Sequence, residues 1–401
     1  MSALPAIPFA RDSLLDVPRE YRELRIKEGI ARVRTQAGDE VWLATGYEDV
    51  RKLLVDPRLG RSHPEPEKAA RVSGSAVIGG PSGALARSLG ARGDLATEKA
   101  EHEYLRKLIM KSFTARRMKA LSDHVGSLVD ERLDHFATLP QPADLHAELS
   151  RPVPLLVICQ LLGVPFEDRA LFGGMSARMG DMLDREKSQA ARDEMSAYMA
   201  ALIERKRREP AEDLLSDLAG ELDEVGTVAE LAGTVLWAGH ETTVKRIDYG
   251  VLFLLANPGQ LELLKADPGL APGAVEEILR MAVTSVSGMP RYAHEDVEIG
   301  NVTIRKGEAV VLFLGVANRD ERVYPDPDVF DIRRPQTDPH LSFGYGPRLC
   351  VGSHLARVEL TAVFSRLFQR FPDLRPAVPV EKLPRTKGMI GDGFAELPVV
   401  W

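Results

Sequence analysis

The sequence predicts a mainly α fold with small β-sheets (α+β), on two observations. Apolar residues recur at three- and four-residue steps through long stretches, the longest from Val228 to Leu255, whereas strand-like alternation is confined to short runs such as Ile30 to Ala44. The chain has 401 residues and a formal net charge of -7. No Gly/Ser linker, repeat or low-complexity tract divides it, so a single domain over residues 1–401 is expected. The acidic balance gives no support to a nucleic-acid partner.

From the N-terminus onward, Val33, Val41 and Trp42 flank Gly38-Asp39 and read as a hairpin, followed by a short helix from Tyr47 to Leu54. His63 to Thr97 is rich in Gly, Ser, Pro and Ala without a period and reads as a long loop. Helical spacing returns over His102 to Phe113, Met118 to Phe136 and Pro154 to Leu162. Phe166 to Arg208 reads as two helices flanking the polar stretch Asp184 to Gln189, with Met175, Met179, Met182, Met195 and Met199 as core filling or adaptable surface. No signal peptide or anchor is legible at the N-terminus. The longest apolar run, Val153 to Phe166, falls short of the ~20 residues that span a bilayer. Two cysteines without a secretory signal imply reduced thiols, and a cytoplasmic protein without a membrane partner is expected.

Chemistry concentrates at Phe343-Gly-Tyr-Gly-Pro-Arg-Leu-Cys350-Val-Gly352. Glycine and proline bend the chain before the cysteine, and an apolar stripe through Leu360, Val363, Phe364, Leu367, Phe368 and Phe371 announces a helix after it. Cys350 thus stands just before a helix N-terminus, where amides and the helix dipole favour thiolate. A structural zinc site lacks ligands, because the other cysteine is Cys159 alone. An inert buried thiol and a nucleophile paired with His354 both stay open on these residues.

The pattern Phe343-x-x-Gly346-x-x-x-Cys350-x-Gly352, continued by Leu355-Ala356-Arg357, resembles the haem-thiolate signature of cytochromes P450. That resemblance implies a triangular prism of helices around a buried haem b, with Cys350 as axial iron ligand and Phe343 and Gly352 beside it. His102-Glu-Tyr-Leu-Arg106 resembles the helix whose His and Arg bind haem propionates, and Arg291 and Arg348 are the further anchors implied. Glu98-Lys-Ala-Glu101 stands where relatives often have prolines, and Arg348 where they more often have His. Trp237-Ala238-Gly239-His240-Glu241-Thr242-Thr243 resembles the oxygen-activation helix. There Glu241 and Thr242 would handle protons at a widened turn, while Ala238 and Gly239 leave room on the haem's distal face. Close helix packing is the other reading of Gly239.

Glu277-Ile-Leu-Arg280, with the segments from Arg291 to Asp331, resembles the ExxR helix and meander, so Glu277 and Arg280 would join Arg334 or Arg333 in an ion-pair network. Phe394 to Val399 resembles the closing hairpin. By family position Thr234, Trp237, Val283, Ser285, Val286 and Met289 would line the substrate. Lys245, Arg246 and Asp248 have no account at this level. The motif spellings look like actinomycete enzymes that tailor natural products.

The expected activity is hydroxylation or epoxidation of a bulky apolar metabolite. Oxidative C–C or C–N coupling, for example of cyclic dipeptides, and a haem-based sensor are the alternatives. Electrons would come from NAD(P)H through a reductase and an acidic ferredoxin. Arg106, Lys107, Lys111, Arg116, Arg117 and Lys119 form a segment without an intervening acid that could steer such a partner. A monomer is expected.

Overall fold

Gly38 sits at φ +89°, where a side chain would be strained, and it turns the chain between Thr35 and Asp39. The Thr35 amide donates to the Asp39 carbonyl at 2.9 Å, closing the turn. Strands Ile30–Arg34 and Glu40–Ala44 therefore pair antiparallel, with Ile30 opposite Ala44 and Arg34 opposite Glu40. The expected hairpin is present. The computed structural model of the chain describes residues 4–11, 13–71, 94–179, 185–284, 288–386 and 393–401. These fall into two compact units, each assembled from three chain segments.

The first unit comprises Met1–Tyr104, Leu279–Phe330 and Pro335–Cys350. Its helices are α1 (Arg19–Glu28) and α2 (Tyr47–Val55), and α3 (Leu95–Met110) starts within it. The hairpin grows into a five-stranded sheet: Glu40–Ala44 runs parallel to Ala309–Leu312, which pairs antiparallel with Met289–Ala293, which in turn pairs with the short strand Leu59–Gly60. Side chains alternate across this sheet as the pleat requires. Val310 and Leu312 join Tyr47, Val50 and Leu53 of α2 in one cluster; Ala309 and Val311 join Tyr21 of α1, Val33 and Phe313 in another. Each aliphatic side chain so buried contributes roughly 1.5–3 kcal/mol.

The second unit comprises Leu105–Ile278, Asp331–Arg334 and Val351–Trp401. Its helices are α4 (Ala115–Ala137), α5 (Pro152–Leu162), α6 (Arg169–Met179), α7 (Arg185–Arg208), α8 (Leu214–Glu221), α9 (Val225–Ala256), α10 (Pro258–Ala266), α11 (Ala271–Met281, whose last turn belongs to the first unit) and α12 (Ser353–Phe364). The boundaries follow local chemistry. The Thr114 side chain caps α4 by accepting from the Arg117 amide, Asp213 caps α8 by accepting from Ser216, and Gly163 ends α5 in the left-handed conformation. Met175, Met195 and Met199 are buried core residues; Met182 lies outside the described residues.

Three expectations change. Helix α7 begins at Arg185, so most of the polar stretch expected between two helices is itself helical. Residues 72–93 of the expected long loop lie outside the described residues, and α3 takes its last three positions. The closing hairpin is divided: Phe394 bridges Arg385, whereas Pro398–Val400 is the central strand between Ala143–Asp144 and Arg375–Pro376.

Helix α9, 32 residues long, is buried from Thr243 through Leu254 except at Arg246. Gly250 permits this: a Cβ there would lie 2.2 Å from Phe364 of α12 and 2.8 Å from Ile278 of α11. Gly250→Ala gains about 1 kcal/mol of helix propensity. The clash with two buried side chains is larger, so denaturant unfolding should show a net loss of roughly 1–2 kcal/mol.

Candidate functional site

In the first unit, the cysteine loop is held from behind. Tyr47 Oη donates to the Pro339 carbonyl (2.7 Å), the Asn318 side chain accepts from the Leu341 amide (2.7 Å) and donates to Ser342 Oγ (2.8 Å). Gly344 at φ +75° and Gly346 at φ +71° then fold the chain back so that the Cys350 amide donates to the Phe343 carbonyl at 2.9 Å. Cys350 is exposed, and Phe343 is half-buried with its ring 5.6 Å from that of His340. Cys159, the other cysteine, is buried in the second unit, and burial pushes its thiol up to about 12, which makes it inert.

The same unit holds a cationic cluster that the sheet assembles. Strand register sets Gly60 opposite Tyr292, which places Arg61 next to Arg291. Arg291 is 4% exposed, and its guanidinium donates to the Pro290 carbonyl (2.8 Å) and Met289 Sδ (3.0 Å) rather than to a carboxylate. Burial, then the nearby Arg61 and Arg348, pulls its pKa down to about 9; burial and Arg348 pull Arg61 down to about 10. All three remain cationic at neutral pH. Among the described residues the one anion in this cluster is Glu98, fully buried, which accepts from Arg348 Nη2 at 2.6 Å. Nη1 of Arg61 and Nη1 of Arg348 are buried without a hydrogen-bond partner. Arg291 and Arg348 are sequence-predicted anchors; Arg61 and Glu98 are additions. His102, also predicted, is half-buried on α3 in this unit.

In the second unit, α9 is opened along one stripe. Glu230, Ala238 and Thr242 are exposed and Thr234, Trp237 and Glu241 half-buried, positions that recur at three and four residues, while Leu231, Val235, Leu236 and His240 between them are buried. The predicted acid-alcohol pair and two predicted substrate residues thus share one accessible face. The widened turn is absent: α9 is α-helical throughout, and the Thr242 and Thr243 hydroxyls donate to the carbonyls of Ala238 (2.7 Å) and Gly239 (3.0 Å). Gly239 is corrected too. A Cβ there would lie 2.9 Å from Ile158 Cδ1, so its small size serves the contact of α9 with α5.

Other predicted residues divide as follows. Val283 is 5% exposed in the sheet's core and its carbonyl accepts from Arg11 (3.2 Å), which makes it a packing residue rather than a lining one. Met289 is half-buried; Ser285 and Val286 lie outside the described residues. Arg106 is half-buried in the second unit, and Gly352, at φ -85°, caps α12 in a conformation open to other residues. Glu277 accepts from Arg334 Nε at 3.1 Å and from the Asp331 amide at 3.0 Å, so Arg334 and not Arg333 is the ExxR glutamate's partner.

The basic segment is not bare in three dimensions. Lys111 pairs with Glu221 (2.5 Å), Lys119 with Asp123 (3.5 Å), Arg116 with Glu212 and Arg117 with Asp217.

Asp248 gains an account. It is fully buried and its Oδ2 lies 2.7 Å from Nδ1 of His146. His240, also buried, sits with Nε2 3.2 Å from the Arg151 carbonyl and Nδ1 3.7 Å from Glu241 Oε1. Burial depresses its pKa against the pull of Glu241, so a neutral imidazole adjoins that acid.

Comparison with known proteins places these features. Residues 270–391 match the family described as Cytochrome P450. The whole chain is 43% identical over 409 residues to pentalenolactone synthase of Streptomyces exfoliatus, covering 100% of each chain, and 40% identical to nocardicin C N-oxygenase of Nocardia uniformis subsp. tsuyamanensis, covering 98% of each. A substrate-free P450 described as a polyene macrolide antibiotic pimaricin epoxidase superposes with a TM-score of 0.89 at 39% identity, covering 100% of both chains.

The His146–Asp248 pair carries a pH signature. Burial lowers the imidazole pKa, but the hydrogen bond and charge of Asp248 outweigh it and the net shift is upward. The pair's stabilisation is therefore fully present below the unfolded pKa of about 6.5 and fades as pH rises through the raised folded value. Asp248→Asn should lower the thermal midpoint more at pH 6 than at pH 9; an equal loss at both would show that the pairing is not ionic.

Proposed function

The chain belongs to the cytochrome P450 family, and from that premise we propose that it is a haem-thiolate monooxygenase in which Cys350 is the iron ligand and Arg61, Arg291 and Arg348, with His102 and Arg106, take up the haem carboxylates. The observation that carries this is the cationic cluster. Three guanidiniums share one carboxylate, and two of their nitrogens are buried without partners, an arrangement that asks for further anions. A thiol presented on a glycine-bent loop, and inert Cys159 elsewhere, fit the same group.

When bound, haem b supplies the activation of O2 and the oxidising power for attack on the substrate. The chain's own residues do the rest. Cys350 Sγ, as thiolate, would hold the haem iron and supply the electron density that distinguishes this ligand from histidine. Arg291, buried and donating to the Pro290 carbonyl and Met289 Sδ, would orient a haem carboxylate by charge-assisted bonds. Thr242 Oγ1, which donates to the Ala238 carbonyl, would supply a proton at the reacting centre, and Glu241, half-buried beside neutral His240, would return it.

The substrate we assign is a bulky, largely apolar secondary metabolite, to be hydroxylated or epoxidised. Support comes from the names of the relatives and from Trp237, whose half-buried ring on the open stripe offers a flat apolar surface. Electrons would arrive from NAD(P)H through a reductase and an acidic ferredoxin. A largely apolar groove lined by Met110, Phe113, Met118, Val351 and His354, with the Lys119–Asp123 pair at its side, includes the residue that follows Cys350 and is the docking surface we assign to that partner.

Two measurements test this. The reduced protein with carbon monoxide should show the red-shifted Soret band of thiolate ligation, and Cys350→Ser should abolish it; a wild-type spectrum without that band ends the proposal. In turnover with ferredoxin and reductase, Thr242→Ala should leave the rate of first reduction unchanged, and still slowed by salt, while diverting electrons to hydrogen peroxide and lowering product per NAD(P)H by about tenfold. Product mass one oxygen above substrate supports insertion, whereas loss of two hydrogens identifies coupling.

A further inference from the structure

Glu98 lies in the first turn of α3, next to Lys99, yet the two do not pair: Lys99 Nζ donates to the Pro57 carbonyl at 2.6 Å. The carboxylate instead turns inward. It accepts from the Arg61 amide (2.9 and 3.0 Å), the Ser62 amide (3.0 Å), the Ser62 hydroxyl (2.8 Å) and Arg348 Nη2 (2.6 Å). Gly60 makes room for it, since a Cβ at that position would lie 3.1 Å from Glu98 Oε2 and 2.7 Å from His294 Nε2. A buried carboxylate is tolerated because every one of these donors faces it. The cluster nevertheless keeps two positive charges in excess, and haem b carries two carboxylates.

Resting on the haem assignment above, we infer that Glu98 is a resident counter-anion: it holds the Arg61 backbone and the Arg348 guanidinium in place and, as the nearby negative charge, competes with the cofactor's carboxylates for this cationic cluster, so that it sets how tightly the cofactor is held. Ordering the bend at Gly60–Ser62 is the rival role, and the two differ in sign. Neutralising a competing anion leaves the cations more attractive to the haem and slows its release. Removing a carboxylate that merely orders a bend loosens the site and speeds release. Glu98→Gln keeps the shape and one acceptor oxygen while deleting the charge.

The experiment follows haem release from the intact holoprotein to excess apomyoglobin by the Soret band, for wild type, Glu98→Gln and Arg61→Gln. Release should slow by about three- to tenfold in Glu98→Gln and speed by a similar factor in Arg61→Gln. An unchanged or faster rate in Glu98→Gln overturns the inference while leaving the haem reading intact. A wild-type protein that takes up no haem overturns both. Should Glu98→Gln not yield folded protein, Glu98→Asp decides: the charge is kept and the reach shortened, so wild-type release supports the counter-anion and faster release the bend.

Discussion

Burying a guanidinium without a carboxylate is expensive, and this chain buries Arg291 beside half-buried Arg61 and Arg348, with Glu98 the one acid among them in the described residues. The cost is met by architecture. Arg291 is carried on an interior strand whose neighbours on both sides are fixed by backbone pairing, Ala309–Leu312 on one and Leu59–Gly60 on the other. It cannot move toward solvent without breaking the sheet. Arg61 follows the second of those strands directly, and Arg348 lies two residues before Cys350 in a loop stapled by Asn318, Ser342 and two positive-φ glycines. Sheet register, cysteine loop and cation cluster are thus one construction: the loop that presents the thiol also delivers the arginine that meets Glu98.

Helix α9 meets a different constraint. Its C-terminal half is buried on nearly all sides, and Gly250 lets Phe364 and Ile278 approach closely. Its N-terminal half keeps one stripe open, and Thr242, Ala238 and Trp237 lie on it. A helix so divided needs a rigid anchor, because its accessible face contributes little packing. The buried His146–Asp248 pair and the Ile158–Gly239 contact provide it on the faces away from the stripe.

Much of this was legible in the sequence, and what was not has a physical reason. Periodicity located the helices because core-facing side chains repeat along one element: the predicted Val228–Leu255 became Val225–Ala256. Cys350 was legible because its neighbours' glycines act locally, on the backbone dihedrals of the same ten residues. Arg61 and Glu98 were not, since their significance depends on the pairing of residues 59–60 with 292–293, a contact between segments more than two hundred residues apart. The only sequence signal was Glu98 itself, an acid where relatives often carry proline. The ion pairs of the basic segment were hidden for the same reason. Glu212, Asp217 and Glu221 stand about a hundred positions from the cations they neutralise. Gly239 carried two readings, room for a ligand and close helix packing, and sequence cannot say which neighbour its small size faces; the contact with Ile158 depends on α5.

His240 shows how packing and chemistry divide between adjacent positions. On α9 it lies beside Glu241 in sequence but points to the opposite, buried side, where its Nε2 meets the Arg151 carbonyl. Burial keeps it neutral, so it does not add a full positive charge next to Glu241. The same burial that keeps the imidazole neutral makes His240 a packing residue, while its sequence neighbour Glu241 stays on the accessible stripe of the same helix.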